Sequence, residues 1–452
     1  MKRPAGMKMS TPEILWLTIT GAKFDQLAFA LTLSKDYGGI SYSELGPVNM
    51  YQINDPELVH EVLVEKANKF HKADRMKTAL KAFAGNGLLL SEGDFWKRQR
   101  KLAQPAFHIK RIESYAQTMV EHAQNMLDGW RSGETRYIDR EMMKLTLSIV
   151  CKTLFDADVS GDAERVGVLM TEVLEESNEK INSAFELPEW IPSRKRAHRK
   201  AVLAELDAII QRFIEDRQRS GEDKGDLLSM LLEARDEDGS GMDAKQLRDE
   251  AMTLFVAGHE TTAMALSWAW YLLANNPACM QKLQQEVDNV LQGRAPTMHD
   301  LANLPYSDMV LKEALRLYPP ASGVTRQAVE DVQIGDYTLE SGVMISLSIY
   351  AMQRSPLYFP NPDSFDPERF SKENESKIPR YAYLPFGGGP RVCIGNMFAM
   401  MEARLILAAV AQRYDLELEA GQDVVAETLL TIRPKNGIRM KLKQREAVRE
   451  PA

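Results

Sequence analysis

One ten-residue stretch constrains this chain more than any other: Phe386-Gly-Gly-Gly-Pro-Arg391-Val-Cys393-Ile-Gly395, followed by the apolar, helix-forming run Asn396 to Ala411. Glycines ahead of the thiol permit a tight turn that side chains would forbid. Such a turn aims backbone N–H groups at the sulfur, and the following helix presents its positive N-terminal end to it. Both effects favour thiolate over thiol and predict a pKa below the ~8.5 of free cysteine. A thiolate held this way is a nucleophile or a metal ligand. No histidine lies nearby to serve as its base, which argues for the ligand.

A second pattern points the same way. Ala257-Gly258-His259-Glu260-Thr261-Thr262 falls inside the longest helical pattern, Asp243 to Asn276. A mid-helix glycine costs roughly 1 kcal/mol relative to alanine, so Gly258 invites a reason. Its missing side chain predicts close approach of a flat group to the backbone. Thr261 shares a face with Ala257 and nearly with Gly258, while Glu260 beside it is expected to connect to solvent. An acid and an alcohol so placed can relay protons. His259 faces elsewhere in this scheme and reads as structural.

Together these residues resemble the cytochrome P-450 family, whose cysteine signature F-x-x-G-x-[RH]-x-C-x-G is met at Phe386, Gly389, Arg391, Cys393 and Gly395. The family's [AG]-G-x-[DE]-T-[ST] is met at Ala257 to Thr262. Its E-x-x-R is met at Glu313 and Arg316, with the third network member, Arg369, in Pro367-Glu368-Arg369-Phe370. The resemblance spans essentially the whole chain. It implies a b-type haem with Cys393 as the iron ligand, and Phe386 and Gly395 beside it. It implies propionate partners in Trp96, Arg100, Arg326 and Arg391, where planar guanidinium suits carboxylate. Ala257 and Gly258 would lie against the haem, with Glu260 and Thr261 delivering protons. Lys97, Arg98 and Lys101 are expected to face solvent, where they could steer an acidic electron donor. The glutamine at 353, where the family often has histidine, is expected to affect packing only.

The resemblance places Leu89, Ala257, Ala321, Val324 and Leu430 in the substrate cavity. All are apolar, which predicts an apolar small-molecule substrate. Fatty-acid-hydroxylating relatives hold the carboxylate with an arginine and a tyrosine in the first hairpin. Tyr51 is present here, but Pro47 stands at the arginine's place, which argues against a fatty acid.

Pattern along the chain predicts a mainly α fold with a smaller β-rich part, the cytochrome P-450 fold, in one domain over residues 1–452. A hairpin is expected within Gly38 to Ile53. Helices are expected at Asp94 to Ala103, Ile112 to Trp130, Arg140 to Phe155, Asp162 to Asn182 and Arg194 to Arg219. Loops follow at Ser220 to Asp226 and Asp236 to Gly241. Strands are expected at Val332 to Ile334, Tyr337 to Leu339 and Met344 to Ser348. The proline-rich run Pro356 to Pro385 fits the family's meander.

The formal net charge of −8 argues against a nucleic-acid partner. Of three cysteines, Cys151 and Cys279 read as structural, and no CxxC pair suggests zinc. The run Ile14 to Ala30 is interrupted by Lys23, Asp25 and Gln26, so it fails as a membrane span, which needs ~20 apolar residues. A cytoplasmic monomer is expected. With 59 residues after Cys393, electrons are expected from a separate ferredoxin or flavodoxin with its reductase. The reading is a monooxygenase that inserts one atom of O2 into its substrate. A peroxide-driven or isomerising haem enzyme would not need Glu260 and Thr261, and a haem sensor or carrier would normally carry an output module.

Overall fold

In the computed structural model, residues 3–10, 13, 25–45, 48–157, 163–182, 193–235 and 239–446 are described. The described part is mainly helical, with four small sheets. Most of the Ile14 to Ala30 run, Pro47 and part of the loop 236–241 lie outside these residues.

The long helix Ala244–Ala274 runs through the core. It starts where the Asp243 side chain accepts from the Gln246 N–H, satisfying an amide that the helix leaves open. It stops ahead of Pro277, which opens the next helix, Pro277–Leu291. Nearly all its residues from Leu247 to Leu273 are buried, so this helix is enclosed on all sides rather than lying at the surface with one apolar face. Helix Ile138–Phe155 packs along it. Gly258 lies at this contact: a Cβ there would meet the Val150 side chain at 3.1 Å and that of Leu154 at 4.0 Å. The Thr146 hydroxyl adds a 2.9 Å bond to the His259 carbonyl. Helix Asn396–Arg413, after the cysteine loop, packs on Ile109–Asp128. The helices meet their expected positions, with ends shifted by a few residues.

The largest sheet has six strands in the order Lys8–Met9, Ile40–Leu45, Val48–Ile53, Met344–Leu347, Val324–Ala328 and Phe70–His71. The expected hairpin is its second and third strands, with Tyr42 opposite Tyr51. Strand alternation decides which residues face inward: Met50 and Gln52 line the large cavity, whereas Tyr51 does not. The expected strands Val332–Ile334 and Tyr337–Leu339 pair with each other.

The meander is held by charge. Glu313 is fully buried and grips Arg316 through both oxygens, at 2.7 and 2.8 Å. It also accepts from Arg369 at 3.2 Å and from the Asp366 N–H at 2.9 Å. Arg316 spends its remaining donors on the carbonyls of Gln353, Pro362 and Ser364. Every donor and acceptor facing this charge is used, which is what a buried ion pair needs. Gln353 does more than pack: its amide donates to the Leu315 and Arg316 carbonyls and accepts the Leu384 N–H at 2.9 Å. The network therefore reaches to within two residues of Phe386.

Candidate active site

The cysteine loop is shaped by two glycines with positive φ, Gly387 at 71° and Gly389 at 66°. A side chain is strained in that region. At Gly389 it is also excluded, because a Cβ would stand 2.0 Å from the Leu63 carbonyl oxygen. The Cys393 N–H then bonds back to the Phe386 carbonyl at 2.9 Å, and Gly395 caps the helix that follows. The loop presents Cys393 to a cavity of about 1380 Å³.

That cavity brings together most of the residues singled out in the sequence. Cys393, Phe386, Arg391, Gly395 and Arg326 line one part of it. Ala257, Gly258 and Thr261 line it from the long helix, and Leu89, Ala321, Val324 and Leu430 complete the wall. Its volume exceeds the ~300–1,000 Å³ usual for one small ligand, so a macrocycle and a second molecule fit.

Several expectations need correction. The Cys393 thiol is not held low: its surface is open to the cavity, but the protein packed around it pushes the thiol up by desolvation, against the opposing Gly395 N–H and Arg100 charge. A coordinated cation would supply the missing positive charge, since metal binding deprotonates a thiol outright. The absent side chain of Gly258 points at Val150 rather than toward a bound group, so the glycine is explained by helix packing. Glu260 does not open to solvent. It is buried, its carboxyl pushed up by desolvation, and it accepts a 2.6 Å bond from the Thr431 hydroxyl. The Thr261 hydroxyl donates to the Ala257 carbonyl at 2.9 Å, leaving its lone pairs for the cavity it lines. His259 is buried and bonded to the Phe255 carbonyl, as expected of a structural residue. Arg98 is half-buried and bonds to Ser240 and Gly241, whereas Lys97 and Lys101 are exposed.

The expected propionate partners gather at the loop. Trp96 lies under Arg391, whose guanidinium carbon is 3.9 Å from the ring centroid. Arg100 donates to the Val392 carbonyl at 2.9 Å. Arg391 donates to the Ser91 carbonyl and pairs with Glu92. A further cation, Lys72, had no motif to reveal it. It lines the cavity, buried, with its ammonium on the Leu89 carbonyl and its own amide on Glu92. Burial and the charges of Arg391 and Arg326 push its pKa down to about 7. Lys72, Arg326 and Arg391 thus crowd around the single carboxylate of Glu92. Two more negative charges would balance them, and a haem carries two propionates. The donor set suits this group, with one thiol, a charge-matched cation cluster and a mostly apolar wall. No group of three or more metal-ligating side chains exists among the described residues, so a metal here would need a macrocycle to supply its other ligands.

Comparison with known proteins agrees with this geometry. The family model described as Cytochrome P450 matches residues 11–442. Cyclooctatin synthase of Streptomyces melanosporofaciens is 39% identical over 84% of this chain and 83% of its own. From the same organism, cyclooctat-9-en-7-ol 5-monooxygenase is 33% identical over the same shares of each chain. Cytokinin hydroxylase of Arabidopsis thaliana is 31% identical over 91% of this chain and 82% of its own. The solved haem domain of cytochrome P450DA superposes with a TM-score of 0.89 at 27% identity, covering 100% of this chain and 99% of that one. Among the described residues no helix is long and apolar enough to cross a membrane. The chain belongs to the cytochrome P450 family, and with it to the haem-dependent oxidoreductases that incorporate oxygen from O2 into small molecules.

Proposed function

We propose that the chain is a haem-thiolate monooxygenase in which Cys393 ligates a b-type haem and an apolar substrate is oxidised between the haem and the long helix. One observation carries the reading: Cys393 and Thr261, 132 positions apart in sequence, line one cavity from different elements. Trp96, Arg100, Arg326, Arg391 and, added by the structure, Lys72 would hold the propionates. Bound there, the haem supplies O2 activation and oxygen-atom transfer.

The residues supply position and protons. Thr261 would turn its hydroxyl from the Ala257 carbonyl to give its proton to the cavity, while its oxygen accepts a replacement proton. Burial pushes the Glu260 carboxyl up, which favours its protonated form, and places a proton donor next to Thr261 in sequence, with Thr431 as the contact that orients it. Leu89, Ala257, Ala321, Val324 and Leu430 orient the substrate by shape and keep water out. The mostly apolar wall, and the relative named for oxidising cyclooctat-9-en-7-ol, support a largely apolar substrate, with a hydroxyl tolerated. Electrons would come from a ferredoxin or flavodoxin with its reductase.

The test is spectroscopic. The reduced, carbon-monoxide-bound protein should show the red-shifted Soret band of thiolate ligation. Cys393→Ser should lose it, and Cys151→Ser and Cys279→Ser should keep it. Loss in either of the latter would move the ligand elsewhere.

A further inference from the structure

Two adjacent carboxylates on the long helix, Asp249 and Glu250, take no part in the chemistry above. Both are buried, Asp249 at 4% exposure and Glu250 at 0%. Burying neighbouring acids is costly unless each finds donors, so their partners matter. Asp249 takes the Asn86 N–H at 2.9 Å and the side chains of Lys245 and Arg248 at 2.6 and 3.0 Å. Glu250 takes the Leu88 N–H at 2.9 Å through one oxygen, and its other oxygen has no partner. Successive helical residues point about 100° apart, and the two acids reach two alternate amides of the same loop.

The loop is shaped to receive them. Gly85 has φ 55°, and a Cβ on it would sit 2.0 Å from the Asp249 carboxylate. At Gly87 a Cβ would meet the Thr253 hydroxyl at 2.3 Å and the Asp249 carbonyl at 2.5 Å. Arg248 adds a 2.8 Å bond to the Phe83 carbonyl. The next residue after Leu88 is Leu89, whose side chain lines the cavity and whose carbonyl takes Lys72. The backbone that carries this wall residue is thus fastened to the helix one position earlier.

We infer that Asp249 and Glu250 form a clasp that sets, through the amides of Asn86 and Leu88, how far Leu89 reaches into the cavity, so that the pair determines the size of substrate admitted. They are positioning residues, acting through Leu89 and touching neither haem nor substrate. The inference rests on the haem reading above.

The test uses the holoprotein and two imidazoles that bind the iron through nitrogen: compact N-phenylimidazole and bulky clotrimazole. Dissociation constants are read from the Soret shift. D249A/E250A should move the affinity ratio about tenfold toward clotrimazole, about 1.4 kcal/mol. E250Q, whose amide oxygen still accepts the Leu88 N–H, should keep the wild-type ratio. L89A should reproduce the shift and add nothing to it in the D249A/E250A background. A shift under threefold in D249A/E250A, or full additivity with L89A, overturns the inference even if stability falls. Should D249A/E250A not retain haem, G87A displaces the loop with both carboxylates in place, and the same threefold threshold decides. If the reduced, carbon-monoxide-bound wild type lacks the thiolate Soret band, the haem reading fails and not the clasp.

Discussion

The Thr431 hydroxyl donates to the Glu260 carboxyl at 2.6 Å, joining the long helix to a strand start near the other end of the sequence. Both side chains are buried at 4% exposure. Thr431→Val would leave the carboxyl one bond short, at a cost of ~1–3 kcal/mol. It would also remove a contact that opposes the upward push of burial, tying the proton more firmly to Glu260. Thr431→Val should therefore both lower the denaturation midpoint and raise the hydrogen peroxide formed per electron pair during turnover. Normal coupling in Thr431→Val would separate Glu260 from proton delivery.

Arg316 has no exposed surface and is bonded to Glu313, Gln353, Pro362 and Ser364. Removing it leaves a buried carboxylate supported only by Arg369 and one amide. Loss of one partner of a buried pair typically costs ~3–5 kcal/mol. Arg316→Met is expected to lower stability by that amount and to shed haem on purification, measured by denaturant unfolding and the haem-to-protein ratio. Arg369→Met, whose contact is longer and only partly buried, should cost less.

What was legible in the sequence followed from how local each cause is. Cys393, its glycines and the long helix's threonine are read from contiguous motifs, because each function needs fixed spacing on one element. The cavity wall from Leu89 to Leu430 was reachable only through resemblance, since four separate segments supply it. Lys72 stayed hidden because its meaning lies in Arg326 and Arg391, each more than two hundred residues away. Gly258 misled for a related reason. A motif states that a side chain is absent but not which neighbour, here Val150, requires its absence. The thiol of Cys393 misled because loop and helix effects are local while desolvation comes from all the protein packed around it.

Glu250 gives a pH signature. Burial first and Asp249 second push its carboxyl up from the ordinary 4.5 to about 7, against the Leu88 N–H. Between these values the folded chain holds a proton that the unfolded chain releases. Its contribution to stability is therefore greatest at low pH and falls as pH rises from about 4.5 to 7. At about 1.36 kcal/mol per pH unit, the change is ~3 kcal/mol. Urea midpoints for wild type and Glu250→Gln at pH 5 and 7.5 check this. The advantage of wild type should shrink or reverse at the higher pH, and parallel behaviour of the two proteins would rule it out.

Tyr51 stands where a fatty-acid anchor would be, yet its ring has no exposed surface and its hydroxyl donates to Glu340 at 3.1 Å. Glu340 is in turn held by Arg3. A tyrosine committed to one carboxylate beside a salt bridge cannot serve a second carboxylate in the cavity, and strand alternation turns it the other way. The cations that do line the cavity wall away from the cysteine loop are Arg75 and Lys435, accompanied by Asp25, Glu175 and Glu179. The wall is therefore mixed in charge rather than apolar throughout, a correction to the sequence expectation. Acidic neighbours offset much of the attraction for an acid, and a charge-assisted bond adds only ~1.5–3 kcal/mol against ~1 for a neutral one. A fatty acid should thus be preferred over its own alcohol by less than a hundredfold, about 2.7 kcal/mol, when dissociation constants of a matched series are compared. Tyr51→Phe should leave that ratio unchanged, whereas Arg75→Gln should reduce it. A ratio that collapses in Tyr51→Phe would mean that the Glu340 bond opens on binding and that the tyrosine reaches the substrate after all.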